Sequence, residues 1–267
     1  MQINEIPANL SEVLEVTKPL SVEAGEAIMN IYETNFDVEV KGDNSPLTLA
    51  DTTANEIIVK HLRKSFPDYA VLAEESKDDS KRRSNDFCFI VDPLDGTKEF
   101  VNRNGQFTVN IALAYKGRSV LGVIYAPVTR QLYFAYAGRG AFLEDLQTGK
   151  KRQLTATTKL DNLIMVGSRS HSSPQEAEIF ERHRDSIGEV ISVGSSLKGC
   201  MIASGDADIY YRFGLTSEWD IAAMQCIVEE AGGIFRQLDG TPMRYNREDI
   251  LNHKGFYVVN RVENIWI

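Results

Sequence analysis

The sequence predicts a layered fold of α+β and α/β character, and three observations carry that reading. A long stretch of helical spacing comes first, over residues 9–33. Apolar, strand-like runs joined by short polar connections then follow one another up to about residue 137. Beyond about residue 150, strand-like and helix-like segments alternate. Sheets and amphipathic helices must bury an apolar face against one another, so this order reads as stacked layers. Two lobes are expected: residues 1–150, helices with an antiparallel meander, and residues 151–267, an α/β half.

In chain order, Leu10, Val13, Leu14, Leu20, Ala24 and Ile28 fall on one face of the first helix. Pro19 has no N–H to donate and should kink or interrupt it. A second helix is expected from about Thr52 to Phe66, capped by Asp51 or Thr53, with Thr53 and Glu56 at capping-box spacing. "AVLAEE", "FCFIVD", "FTVNIALAY", "SVLGVIYAPV" and "QLYFAYAG" read as strands, and the short links "KGR" and "TR" favour a meander. Past residue 150 come "LIMVGS", a helix near 174–186, "EVISVGS", a helix near 196–204, "DIYYRF", a helix near 219–231 and "GFYVVN".

Composition narrows the function. At 267 residues the chain can bury a substantial core. A net charge of −9 argues against coating a nucleic-acid polymer, which needs a basic field. A small anionic ligand stays open, because a bound divalent cation inverts the local charge. Cys88, Cys200 and Cys226 stand apart in apolar surroundings with no CxxC, so they read as buried small hydrophobes in a reducing compartment rather than zinc ligands. "MQINEIPANLSEV" lacks the features of a secretory signal, and no run approaches the roughly 20 apolar residues of a transmembrane helix. A cytoplasmic protein is expected. An apolar face for a core and one for a partner read alike, so no oligomeric state is predicted.

Chemistry concentrates in three acidic segments. "FIVDPLDGTKEF", residues 89–100, runs from apolar strand into Asp92 and Asp95. Pro93 and Gly96 suit a plain turn. A strand as apolar as 87–91 is nevertheless buried on both faces, so the carboxylates at its end are partly desolvated. Two such charges about 5 Å apart repel by roughly 3 kcal/mol at an effective dielectric near 20. A shared proton or a cation must offset that. "VLAEES" ends a second apolar strand with Glu74 and Glu75, one of which is expected to be simply solvated. "SEWDIAAMQCIVEEAGG" places Asp220 at the start of an apolar helix, as a cap or as a third acid for the same cation. An all-oxygen donor set selects Mg²⁺ or Mn²⁺ over zinc.

"AEES", "DPLDGT" and "WDIAA…EEAGG", in that order, resemble the lithium-sensitive, Mg²⁺-dependent phosphatase superfamily that includes inositol monophosphatase, and the resemblance covers nearly the whole chain. Within it, the stretch from "DPLDGTKEF" to "GVIYAPV" is similar to the bacterial 3′(2′),5′-bisphosphate nucleotidases. Lys98, Glu99 and Phe100 stand where inositol monophosphatases typically carry Thr-Asn-Phe. The resemblance implies an alternating α-β-α-β-α sandwich. It implies two or three Mg²⁺ ions, with Mn²⁺ as the substitute: one on Glu74, Asp92 and the Leu94 carbonyl, the next bridged by Asp92 to Asp95 and Asp220. Most metal ligands would then lie in the first lobe, with the nucleotide-binding residues and the last ligand in the second. Thr97 and Asp51 match the pair that orients and deprotonates the attacking water. Gly96 and Thr97 would cradle the scissile phosphate, with Glu74 and Asp220 also facing substrate, while His171, Ser195, Lys198 and Arg212 match the nucleotide contacts.

The implied reaction removes the 3′-phosphate of 3′-phosphoadenosine 5′-phosphate, or of the phosphosulfate analogue, a step tied to sulfur assimilation, and lithium should inhibit it. The resemblance also leaves open a peripheral place on the cytoplasmic face of the inner membrane, though no basic amphipathic segment here argues for it. An inositol or sugar monophosphatase is the rival within the same chemistry. A catalytically silent binding protein on the same fold is the rival outside it, and the intact set of acids weighs against it.

Overall fold

The structure is a computed structural model that describes residues 6, 8–42, 46–169 and 173–267. Helix α1 (Leu10–Tyr32) buries the apolar stripe that its spacing predicts. It runs unbroken through Pro19. Pro19 and Glu15 both lie on the exposed face, so the carbonyl that proline cannot serve turns toward water. A small hairpin, β1 (Val38–Val40) and β2 (Pro46–Thr48), leads into α2 (Leu49–Ser65). This helix starts earlier than the expected Thr52. Its cap is Thr48, in place of Asp51 or Thr53, and Asp51 bonds back to Thr48 from the first turn. The reciprocal chemistry expected of Thr53 and Glu56 is thus met by Thr48 and Asp51.

The first sheet is built from β3 (Ala70–Ala73), β4 (Phe87–Asp95), β5 (Thr108–Tyr115), β6 (Arg118–Ala126), β7 (Gln131–Tyr136), β8 (Ala141–Asp145) and β9 (Lys150–Gln153), paired in sequential order. Only β3 and β4 pair in parallel; the rest form the expected meander, lengthened by β8 and β9. "DPLD" is not a turn. Strand β4 carries through it, and its register against β5 shifts between Asp92 and Asp95. That irregularity lets Pro93, which cannot donate to a ladder, sit in an interior strand. A short helix, α3 (Thr97–Val101), follows directly.

The second half contributes β10 (Leu163–Ser168), α4 (Pro174–Arg182), β11 (Ile187–Val193), α5 (Leu197–Ser204), β12 (Ile209–Arg212), β13 (Thr216–Ser217), α6 (Glu218–Glu230), β14 (Ile234–Gln237), β15 (Leu251–Asn252) and β16 (Phe256–Val259). Its main sheet has the order β11-β10-β12-β16-β14, and β13 pairs with β15 beside it. Helices α5 and α6 lie between the two sheets. One apolar cluster there joins Leu72, Cys88 and Ile90 of the first sheet to Ile202, Ile221 and Ile227 of the helices and Val166 and Phe256 of the second sheet. The approach is tight: a Cβ on Gly122 of β6 would fall 2.3 Å from the Ala223 carbonyl oxygen of α6. Helices α1 and α2 cover the first sheet's other face, and α4 packs Ile179 against Leu163, Met165 and Ile209 of the second. The layers are therefore helix, sheet, helix, sheet, helix, the sandwich that the resemblance implies. Among the described residues no helix is long and apolar enough to cross a membrane.

Candidate active site

The acidic segments meet where β4 ends against α6. Asp92 and Asp95 occupy the last stretch of β4, Glu74 the turn after β3, and Asp220 the first turn of α6. Asp92 is only 2% exposed. Its carboxyl is pushed well above the usual range by burial first, then by the charges of Glu74, Asp95 and Asp220. Those charges act on Asp92 only because the four side chains converge on one volume. Burial also raises Asp95, against the pull of Lys198 and Ser196. Burial and then the Asp95 charge push Asp220 up to about 8. Glu74 is raised by burial, with Lys41 opposing.

Each acid is also gripped by the protein. Asp95 Oδ2 accepts from the Ser196 N–H at 2.6 Å, the Ser196 hydroxyl at 2.7 Å and Asn110 Nδ2 at 3.1 Å. Asp92 Oδ1 accepts from the Leu94 N–H at 3.1 Å, and Asp220 Oδ2 from the Ser217 N–H at 2.8 Å. Lys41 Nζ donates to Glu74 Oε1 at 2.9 Å and also bonds Glu75. Neither glutamate is therefore the plainly solvated strand end expected for one of them. Among the described residues no three acid, imidazole or thiol side chains stand close enough together to hold a metal ion as they are placed. The acids are nevertheless buried and raise one another's pKa values, and their all-oxygen chemistry fits a hard divalent cation such as Mg²⁺.

Beside the acids, Thr97 at the start of α3 donates its hydroxyl to Asp51 Oδ1 at 2.9 Å and lies 3.3 Å from the Leu94 carbonyl oxygen. Asp51 is 1% exposed and holds Thr48 through Oδ2, at 2.7 Å from the backbone N–H and 2.6 Å from the hydroxyl. Burial raises its pKa, with the Thr48 and Thr97 hydrogen bonds opposing. Gly96 adopts φ +95°, and a Cβ there would press to 3.1 Å from the Gln106 carbonyl. Only glycine turns this corner without strain.

A cavity of about 290 Å³ opens over this group. Glu74, Asp95, Gly96, Thr97 and Asp220 line it together with Ser195, Lys198 and Arg212. Asp51, Asp92 and Leu94 are buried behind its wall. His171 lies outside the described residues. Lys198 is enclosed and donates to the Ser195 carbonyl at 2.6 Å; burial lowers its pKa to about 8, although Asp95 pulls it upward. The cavity wall thus carries both acidic and cationic side chains. Sequence reasoning misses Lys41, Thr48, Asn110 and Ser196. Only the second serine of "GSSLK" and the asparagine of "TVNIALAY" hint at the last two, and neither has a spacing that stands out.

The profile of the inositol monophosphatase family matches residues 9–264. This chain belongs to the inositol monophosphatase family. Among other members, the 3′(2′),5′-bisphosphate nucleotidase CysQ of Escherichia coli (strain K12) is 41% identical over 252 residues, covering 92% of this chain and 99% of that protein. The protein of the same name from Haemophilus influenzae is 32% identical over 250 residues, with 92% of each covered. CysQ from Bacteroides thetaiotaomicron, solved by crystallography as a bacterial member of the inositol monophosphatase family, superposes with a TM-score of 0.81 at 41% identity, over 94% of this chain and 98% of that one. The extragenic suppressor protein suhB from Bartonella henselae does so at 0.80 and 28%, over 94% of each. The chain is a phosphatase of this family.

Proposed function

We propose that this phosphatase removes the 3′-phosphate of 3′-phosphoadenosine 5′-phosphate, giving AMP and phosphate, and accepts the 5′-phosphosulfate analogue. The observation that carries the reading is the mixed wall of the cavity, where acids for a cation-bound phosphate stand with Lys198 and Arg212 for a second anion. A monophosphate needs no second clamp. The name carried by the relatives that are 41% identical agrees with it.

Glu74, Asp92, Asp95, Asp220 and the Leu94 carbonyl would hold two or three Mg²⁺ ions, with Mn²⁺ as the substitute. When bound, the metal supplies positive charge that makes water more acidic and neutralises phosphate oxygens. Thr97 accepts a hydrogen bond from the attacking water while donating to Asp51, so the proton has a path to a carboxylate that burial makes a better base. The Gly96 and Thr97 N–H groups face the scissile phosphate. Asp220 faces the leaving 3′-oxygen. Lys198, as a point charge, and Arg212, as a planar fork, hold the phosphate that stays, with His171 and Ser195 completing the nucleotide contacts. Catalysis is mainly charge neutralisation and positioning. Three free, buried thiols suit a reducing cytoplasm.

Turnover of the purified protein on 3′-phosphoadenosine 5′-phosphate and on inositol 1-phosphate, with Mg²⁺ and with chelator, tests the reading. The bisphosphate should be strongly preferred and the rate should vanish with chelator. Preference for the inositol ester overturns the substrate assignment.

A further inference from the structure

Ser196 holds none of the roles given above, yet Asp95, Asp220 and Asn110 all meet on it. Its N–H and its hydroxyl both reach Asp95 Oδ2. The same hydroxyl lies 2.9 Å from the Asp220 carbonyl oxygen and accepts from Asn110 Nδ2 at 3.0 Å. Asn110 is fixed in turn by the Thr108 hydroxyl, which donates to its Oδ1 at 2.9 Å. Ser196 is 2% exposed and Asn110 1%, so these bonds are not shared with bulk water.

The backbone that presents Ser196 is itself pinned. Gly194 N–H donates to Gln106 Oε1 at 2.9 Å, and a Cβ on Gly194 would meet the Gln106 carbonyl at 2.7 Å. Ser195 takes φ +50°, a left-handed conformation that a non-glycine residue keeps only when its surroundings over-determine it. Helix α5 begins immediately after. Ser196 therefore reaches Asp95 from a rigid support.

Donors from Ser196 and Asn110 converge on a single oxygen of Asp95. That geometry stops the carboxylate rotating and fixes which way its other oxygen points. Satisfying a buried charge could be done by donors spread over both oxygens; concentrating them on one leaves an edge of the carboxylate with a defined direction. Resting on the Mg²⁺-dependent reading above, we propose that Ser196 is a positioning residue that aims Asp95 at the metal, with Asn110 as its partner on the same oxygen. Groups that orient a metal-binding carboxylate typically change metal affinity or activity by about 10–100-fold when removed.

The test compares the wild type with Ser196→Ala, Ser196→Thr, Asn110→Ala and the double alanine variant. Two quantities are read: the Mg²⁺ concentration for half-maximal hydrolysis, and the rise in melting temperature that Mg²⁺ alone produces without substrate. Ser196→Ala should need about tenfold or more Mg²⁺ and show a smaller Mg²⁺-induced rise. Its KM for the bisphosphate at saturating Mg²⁺ should hold, because Lys198 and Arg212 are untouched. Ser196→Thr, which keeps the hydroxyl, should recover toward the wild type. The double variant should lose less than the product of the single losses, since both act on one oxygen. An unchanged Mg²⁺ requirement together with an unchanged Mg²⁺-induced rise in Ser196→Ala overturns the proposal. If that variant does not fold, the same two readouts on Asn110→Ala decide. A wild type with neither Mg²⁺-dependent hydrolysis nor an Mg²⁺-induced rise sinks the functional reading itself, a result distinct from wild-type behaviour in Ser196→Ala.

Discussion

Replacing Asp95 by Asn removes a buried charge but keeps the side chain's shape, so it separates chemistry from stability. Asp95→Asn should fold and, without metal, melt no lower than the wild type, because it relieves repulsion with Asp92 and Asp220. Its rate with Mg²⁺ should drop by about two orders of magnitude or more, the scale of losing one preorganised electrostatic group. Thermal melts and steady-state kinetics check the two halves, and an unfolded variant or a near-normal rate counts against the site. Lys198 gives a pH signature. Burial lowers its pKa to about 8 from 10.5, Asp95 pulling the other way and Arg212 adding to the drop. The ammonium is thus present below that value and lost above it, so kcat/KM for the bisphosphate should fall as pH rises through about 8. Lys198→Ala should raise KM and flatten that alkaline limb in a pH–rate profile.

The elements show how catalytic side chains ride on ordinary structural devices. Asp51 and Asp220 each sit in the first turn of a helix and reach back to the cap residue's N–H. A bond that satisfies an orphan helix donor thereby also orients an acid of the site. Thr48→Ala should lose about 1 kcal/mol in urea denaturation, the usual value of an N-cap hydroxyl. It should slow catalysis as well, because the Thr48 hydroxyl holds Asp51 Oδ2. A stability loss with an unaltered kcat would separate the two roles. At this scale α1 and the central meander are legible from apolar periodicity alone. The start of α2 is not, because Leu49 at its first position is exposed and the buried face begins later. "KKRQ" in β9 has no apolar alternation to read, and α3 is too short for any period to register. The acids are legible because each adjoins an apolar run: Glu74, Asp92 and Asp95 close one and Asp220 opens one. Lys41, Asn110 and Ser196 act only through proximity created by folding: Lys41 follows a strand of exposed residues, and Ser196 differs in nothing local from Ser195.

For the molecule as a whole, the acids are a source of stored repulsion that a ligand relieves. A cation that binds only the folded state stabilises it by RT ln(1 + [L]/Kd), about 2.7 kcal/mol at a hundredfold excess over Kd. Adding Mg²⁺ should raise the melting temperature and chelation should reverse the rise; a melt indifferent to both would contradict a cation in the cleft. The layer order matters here, because α6 carries Asp220 between the two sheets and packs on β6 with almost no clearance at Gly122. Strand β9 governs a different property. It is one of the two edges of the first sheet, opposite β3, and it shows solvent Lys150, Lys151 and Arg152, with the Lys151 ammonium 4.6 Å from the Phe142 ring centre. A foreign strand seeking main-chain partners there would have to stack against a row of like charges. Edge-to-edge polymerisation through β9 should therefore be resisted at high concentration, and salt, by screening that row, should weaken the protection.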